Sequence, residues 1–173
     1  LVATRAQLEG VGNTSAIPVP ALKDTCEFLE EEFQDIYDQD DIKFPMDVEG
    51  AEYVFFPAVS DYLLEPDTLM GNAAVMHVTR GSWTIGTGNY DGINYGLFYS
   101  DWHLEKIIQQ LVGEVTRLNG RQLLIGECGH ASRAAHDFVP VFGGKEAYPV
   151  FNFMEYTLDC IRKGKITLNP DIV

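Results

Sequence analysis

Short apolar runs alternate with helix-like segments along most of the chain, and this alternation constrains the fold more than any other feature. The runs predict strands at 52–58, 82–88, 121–127 and 148–151. Segments with helical spacing or helix-terminating residues lie before, between and after these strands, at 21–38, 66–81, 101–119, 131–138 and 152–164. The strands are almost entirely apolar, as strands covered on both faces must be. We therefore predict an α/β fold, a Rossmann-like or flavodoxin-like three-layer sandwich with a short, mainly parallel four-stranded sheet.

The domain organisation follows from length and composition. A chain of 173 residues is long enough for one buried core and gives no reason to expect two. We interpret residues 20–173 as a single α/β domain and residues 1–19, which lack periodicity and carry glycine and proline, as a flexible lead-in. Because the chain begins with Leu1 rather than Met, we expect it to be a piece of a longer protein.

The charge and the cysteine count narrow the classes of partner. The net charge of −14 opposes binding to nucleic acid or anionic lipid, and no apolar stretch approaches the ~20 residues of a membrane span. Much of the charge lies in residues 27–41, which we interpret as a solvated helix face or as a docking surface for a basic partner. Three widely spaced cysteines form no disulfide framework, so we expect a reducing, cytoplasmic environment.

Three segments should meet at one edge of the predicted sheet. They follow the first three strands, at 57–61, 86–91 and 126–133. In open parallel sheets ligands bind outside the carboxyl ends of the strands, so this edge is where a site is expected.

Within these segments Cys128 is the sharpest candidate. It stands where a buried strand turns into a helix, with His130 and Arg133 close by in the sequence. A thiol at a helix start and near cations ionises readily, and the thiolate is the form that binds metal or attacks carbon. The other interpretation is a small apolar residue that fills the turn. Cys26 and Cys160 lie on apolar helix stripes and are predicted to be core residues.

The motifs of several common chemistries are absent or incomplete. The chain has no phosphate-binding Gly-x-x-x-x-Gly-Lys-Ser/Thr loop, and "GTGNYDG" departs from Gly-x-Gly-x-x-Gly. "GECGH" falls one glycine short of a nucleophile elbow because His130 occupies the last position. A cysteine-dependent hydrolase or amidotransferase, with Cys128 as nucleophile and His136 as base, stays open as an alternative, as does a non-catalytic interaction module.

Several stretches carry a family resemblance. "ALKDTCEFLEEE", "MDVEGAEYVFFPAVSDYLLEPDTLMG", "NYDGINYGLFYSD", "LLIGECGHASRAA" and the closing "LNPDIV" cover most of residues 20–173. In them the chain resembles the cysteine-rich (CCG-domain) iron–sulfur oxidoreductases related to heterodisulfide reductase. The likeness is greatest to the iron–sulfur subunits of the membrane complexes that accompany dissimilatory sulfite reductase.

The resemblance implies a degenerate half of such a protein. A cluster-binding half of this family places a cysteine after a first strand, a cysteine pair after a second and Cys-x-x-Cys after a third. Here the first place holds no cysteine, the pair corresponds to Asn89 and Tyr90, and only Cys128 survives of the last motif, with Ala131 where the second thiol would be. The resemblance thus implies Cys128, His130 and Arg133 as catalytic residues, Asn89, Tyr90 and Cys128 at the cofactor position, and Cys128 as the remaining metal ligand.

The resemblance also implies a function for the longer protein. Its expected activity is electron transfer to a disulfide or sulfur-type substrate through an iron–sulfur cluster that this fragment does not itself bind. The expected partners are a second, cluster-binding half of the same chain and the electron-transfer subunits of a membrane complex. The expected location is the cytoplasm, at the inner membrane through those subunits, with no nucleic acid bound and no direct membrane insertion.

Overall fold

A computed structural model describes residues 18–172, so the lead-in predicted at 1–19 lies outside the described residues except for its last two positions, which begin a helix. The described residues form seven α-helices and four strands. The helices are α1 (Pro18–Tyr37), α2 (Val59–Leu63), α3 (Pro66–Thr79), α4 (Ile93–Tyr99), α5 (Asp101–Arg117), α6 (Gly129–Phe142) and α7 (Phe153–Arg162). The strands are β1 (Tyr53–Phe56), β2 (Trp83–Ile85), β3 (Gln122–Ile125) and β4 (Val150–Asn152).

The four strands form one parallel sheet in the order β2-β1-β3-β4. The α/β prediction, with a short parallel sheet between helices, is confirmed. Of the two orders common in such sheets, this is the flavodoxin-like one, in which the chain changes direction across the sheet between β1 and β3. The central pair is in register from Tyr53 opposite Gln122 to Phe56 opposite Ile125.

The strand residues alternate between two cores. Phe55, Ile85 and Leu124 pack with apolar residues of α1, α3 and α7. Val54, Phe56, Leu123 and Ile125 face the opposite way and pack against α4, α5 and α6. Because both faces are covered, no polar face is needed, which explains the unbroken apolar runs in the sequence.

Two helices and one helix end differ from the sequence prediction. No helix was predicted between the strand at 82–88 and the helix at 101–119, but α4 occupies Ile93–Tyr99, and the short α2 follows β1. Gly81 was predicted to lie just past the end of α3, whereas Arg80 is the left-handed residue that terminates the helix, at φ 52°. No helix among residues 18–172 is long and apolar enough to cross a membrane.

Gly96 allows α4 and α5 to approach each other closely. A Cβ at position 96 would lie 2.6 Å from the Cα of Leu104 and 2.8 Å from its backbone nitrogen. Backbone atoms cannot rotate away as a side-chain tip can, so a larger residue must push the two helices apart.

We therefore expect Gly96→Ala to lower the free energy of unfolding by about 2 kcal/mol in chemical denaturation. Gly113, on the exposed side of α5, is the matched control, because a Cβ there would meet nothing within 4 Å. Gly113→Ala should raise stability by about 0.5–1 kcal/mol through lower backbone entropy in the unfolded chain. Equal effects of the two substitutions would contradict the close approach.

Candidate functional site

The loops that follow β1, β2 and β3 meet at the carboxyl edge of the sheet. We call residues 57–61, 86–91 and 126–130 the carboxyl rim. Ala58 and Asp91 form a parallel bridge that joins the first two loops. The Gly126 N–H donates to the Phe56 carbonyl at 3.1 Å and joins the third loop to the end of β1. The rim therefore surrounds the point between β1 and β3 where ligands bind in sheets of this order.

Cys128 lies at the start of α6, as the sequence predicted. Its extended backbone, at φ −60° and ψ 107°, makes it the N-cap residue, and its carbonyl accepts a hydrogen bond from the Ser132 N–H at 2.9 Å. The side chain is half-buried and packs against the core formed with α5 and α6. The thiol thus stands at the rim, between the core and solvent.

The other residues predicted on α6 are exposed. The centre of the His130 ring lies 5.5 Å from that of the Phe98 ring of α4, with 65° between the two ring planes. Arg133 is 84% exposed and forms an ion pair with Asp137 at 3.7 Å on its own helix. His136 contacts Glu155 of α7, with 3.1 Å between Nε2 and Oε2. His130 thus lies on the rim, whereas the side-chain nitrogens of Arg133 and His136 contact carboxylates farther along α6 or on α7.

Asn89 and Tyr90 lie in the loop after β2, and both are half-buried. The Asn89 amide donates to the Gln110 carbonyl of α5 at 3.4 Å. The two residues predicted at the cofactor position therefore belong to the rim, with the amide of Asn89 bonded to α5.

Two buried carboxyl groups complete the rim, and neither was singled out from the sequence. Asp61 is 1% exposed and accepts a hydrogen bond from the Ala58 N–H at 3.1 Å; Asp91 is 6% exposed and accepts from the Ile93 N–H at 3.0 Å. Burial, reinforced by a hydrogen bond and charge repulsion from Glu127, raises the pKa of Asp61 to about 7. Burial raises the pKa of Asp91 to about 7. The hydrogen bond from the Ile93 N–H lowers this pKa in part, and the charge of Glu127 raises it further.

The three acids come from three different loops, Asp61 after β1, Asp91 after β2 and Glu127 after β3. Because Glu127 acts on both aspartates, the rim is one electrostatic unit. Near neutral pH it holds protons that carboxyl groups in water would have released. The sequence could have indicated this group of acids, because each of the three segments expected at this edge contains a carboxylate.

A buried carboxylate, paired with a half-exposed arginine, holds the loop after β2. Glu114 of α5 is 3% exposed, and its carboxylate accepts hydrogen bonds from the Gly88 N–H at 2.7 Å and from Arg117 at 2.7 and 2.9 Å. Arg117 also donates to Asp47 at 2.6 Å, and Asp47 accepts from the backbone and hydroxyl of Thr87. We call these residues the Glu114 clamp.

The electrostatics of the clamp agree with its geometry. The hydrogen bonds that Arg117 donates to Glu114 and Asp47 raise the pKa of Arg117 above its ordinary value. Burial favours a higher pKa for Asp47, but the hydrogen bonds from Thr87 and Arg117 outweigh it and lower that pKa. A Cβ at Gly86 or Gly88 would lie within 2.7 Å of the Glu114 side chain, so the glycines are what let the loop approach this carboxylate.

The cysteines do not assemble into a metal site within the part of the chain that the structure describes. Cys26 and Cys160 are each 1% exposed in the core beneath α1 and α7, and burial raises the pKa of Cys26 to about 12. No group of three or more histidine, cysteine, aspartate or glutamate residues among 18–172 is arranged to hold a metal ion.

Comparison with known proteins assigns neither a family nor a function to the chain. No protein-family model, curated protein or solved structure matches the chain. The fold and the geometry of the rim are therefore the physical grounds for a functional assignment.

Proposed function

We propose that this chain is the cluster-poor α/β half of an iron–sulfur oxidoreductase subunit that passes electrons to a disulfide or sulfur-type substrate. The observation that carries the proposal is the position of Cys128, half-buried at the start of α6 on the carboxyl rim. A thiol at the ligand-binding edge of an α/β sheet suits sulfur chemistry, whereas a thiol in the core would not.

The cluster in this proposal belongs to another part of the assembly. An iron–sulfur cluster supplies one-electron transfer and is held mainly by several cysteine thiolates, while the rim offers one. The remaining ligands would come from a second, cluster-binding half of the same protein, and the electrons from subunits of a membrane complex on its cytoplasmic side. Cys128 and His130 would then line the substrate side of the interface between the halves.

The buried acids suit the proton balance of such a reaction. Reducing a disulfide consumes two electrons and two protons and yields two thiols. Asp61 and Asp91 each hold a proton to about pH 7 at the same rim as Cys128. The rim residues would therefore supply protons to the departing sulfur atoms, while the electrons come from the partner.

No specific observation favours either of the two alternative functions, the cysteine-dependent hydrolase or the interaction module. The hydrolase hypothesis requires His136 next to Cys128, but seven residues of α6 lie between them, a rise of about 12 Å along a helix, and His136 contacts Glu155 instead. The interaction-module hypothesis rests on the acidic segment 27–41, whose acidic side chains are mostly solvated along α1 and the loop after it.

The test uses the complete gene product that contains this chain, purified without oxygen. We expect bound iron, an electron paramagnetic resonance signal of an iron–sulfur cluster, and electron transfer to a disulfide substrate. Cys128→Ala should reduce turnover at least tenfold while the protein stays folded; Cys160→Ala, in the core, should act through stability alone. Absence of any iron–sulfur signal, or full turnover by Cys128→Ala, would contradict the proposal. Stoichiometric iron held by the isolated 173-residue chain would contradict the cluster-poor assignment.

A further inference from the structure

A groove opens at the amino ends of β1 and β2, on the opposite edge of the sheet from the carboxyl rim. One wall is the segment that leads into β1, including residues 48–51, and the other is the end of α3 with residues 80–83. The groove has a volume of about 670 Å³, within the range of ~300–1,000 Å³ that is typical of small-molecule sites. The described residues that line it belong neither to the carboxyl rim nor to the Glu114 clamp, so the groove is a separate feature of the fold.

The floor of the groove is apolar and carries a hydrogen-bond donor. Ala73 and Met76 of α3 are each 1% exposed there, and Trp83 at the start of β2 is 9% exposed. Among residues 18–172 the indole N–H of Trp83 has no hydrogen-bond partner, and it is not one of the polar groups sealed from solvent. Because a largely buried indole N–H usually has an acceptor, this floor suits a ligand that combines an apolar part with an acceptor oxygen.

The mouth of the groove carries two opposite charges, on Arg80 and Glu49. Both side chains line the groove and are exposed, and within the described part of the chain neither forms an ion pair, with the other or with any third residue. The remaining charged side chains along the groove lie close to a partner, Lys43 to Glu30 at 3.1 Å and His77 to Asp41 at 3.6 Å. One positive and one negative group are therefore available to a ligand.

Arg80 occupies its place in the mouth through a strained backbone. It terminates α3 in the left-handed conformation, at φ 52° and ψ 43°, where glycine or asparagine is usual. The end of the helix does not itself require an arginine, and backbone strain of this kind is concentrated at functional sites. The conformation of Arg80 thus points to the same groove as the unpaired charges and the indole N–H.

We propose that this groove binds a small zwitterion with an apolar side chain, either an amino acid or a dipeptide. The carboxylate of the ligand pairs with Arg80 and its ammonium group with Glu49, while its side chain packs on Met76 and Trp83. A plain anion would meet the charge of Glu49 and a plain cation that of Arg80, whereas a zwitterion is complementary to both. The site does not depend on the proposed redox function.

A ¹H–¹⁵N NMR titration of the 173-residue chain tests the site, with L-phenylalanine and L-leucyl-L-phenylalanine as probes. The chain has two tryptophans, and Trp102 lies outside the groove at the start of α5, where Lys106 covers its ring. We expect a saturable shift of the Trp83 indole N–H resonance and none of the Trp102 resonance. The probe that binds more tightly shows whether an amino acid or a dipeptide is the better ligand.

Modified probes and charge variants test the two ionic contacts separately. N-acetyl-L-phenylalanine lacks the ammonium charge and L-phenylalaninamide lacks the carboxylate, so each should bind about fivefold more weakly than L-phenylalanine. Glu49→Gln should weaken L-phenylalanine by a similar factor but leave the N-acetylated probe unchanged. Arg80→Asn should weaken L-phenylalanine but not the amide, and asparagine retains the left-handed helix end, so the variant folds.

Arg121→Asn is the matched control, because Arg121 is an exposed arginine directly before β3, at the same edge of the sheet, and does not line the groove. Its affinity for L-phenylalanine should equal that of the wild type. Absence of a Trp83 shift with either probe at ~10 mM would overturn the proposal. So would modified probes that bind as tightly as L-phenylalanine, or Arg80→Asn and Glu49→Gln variants that bind it as Arg121→Asn does.

Discussion

Raising the pH from about 4 to 7 is expected to destabilise this protein, with Asp91 contributing on the order of 4 kcal/mol. Asp91 is buried where α4 begins and keeps its proton to about pH 7 when folded. In the unfolded chain it loses the proton near pH 4. Between these values the native state binds more protons than the unfolded state, so rising pH favours unfolding; above about pH 7 the contribution is constant.

Denaturant unfolding across this pH range measures the effect, and Asp91→Asn isolates it. The amide oxygen can still accept from the Ile93 N–H but does not titrate, so the variant should lose less stability than the wild type as the pH rises. Parallel stability curves for the two proteins would show that Asp91 ionises normally, which would remove the basis for a protonated rim.

Arg117→Met should lower the free energy of unfolding by about 3 kcal/mol. Arg117 supplies two of the hydrogen bonds to the buried Glu114 carboxylate, and its removal leaves that charge with the Gly88 N–H alone. The methionine retains most of the apolar stem, so lost packing contributes little. The same substitution should loosen the loop after β2, because Asp47 also loses its cation.

Arg121→Met is the matched control, since Arg121 is exposed four residues further along the chain. It should change stability by less than about 0.5 kcal/mol. A comparable loss in both variants would mean that net charge, rather than the Glu114 clamp, sets the effect of Arg117.

The sequence predicts the layers of this fold but not their full geometry. Apolar runs and helical spacing locate the four strands and five of the helices because burial of each element leaves a periodic local signal. Helix α4 leaves no such signal, since it is only seven residues long and contains Gly96, which is explained only by the backbone of α5. The strand order likewise depends on contacts between distant segments.

The rim was predictable in outline only. Its three segments could be predicted because ligands bind at the carboxyl ends of parallel strands. The turn at Cys128 could be predicted because a strand changes into a helix there. Asp61 and Asp91 look like ordinary loop acids in the sequence, because their burial comes from loops far apart in the chain. The burial of Glu114 could not be predicted from the sequence either, since a charged residue on a helix is usually solvated.

The convergence of three strand ends on one rim is tested most directly by a carboxyl ¹³C NMR titration of the chain and of Glu127→Gln. We expect Asp61 and Asp91 to titrate near pH 7 in the wild type, and both pKa values to fall in the variant, because Glu127 acts on both. Ordinary titration of the two aspartates near pH 4, or values that Glu127→Gln leaves unchanged, would contradict the account.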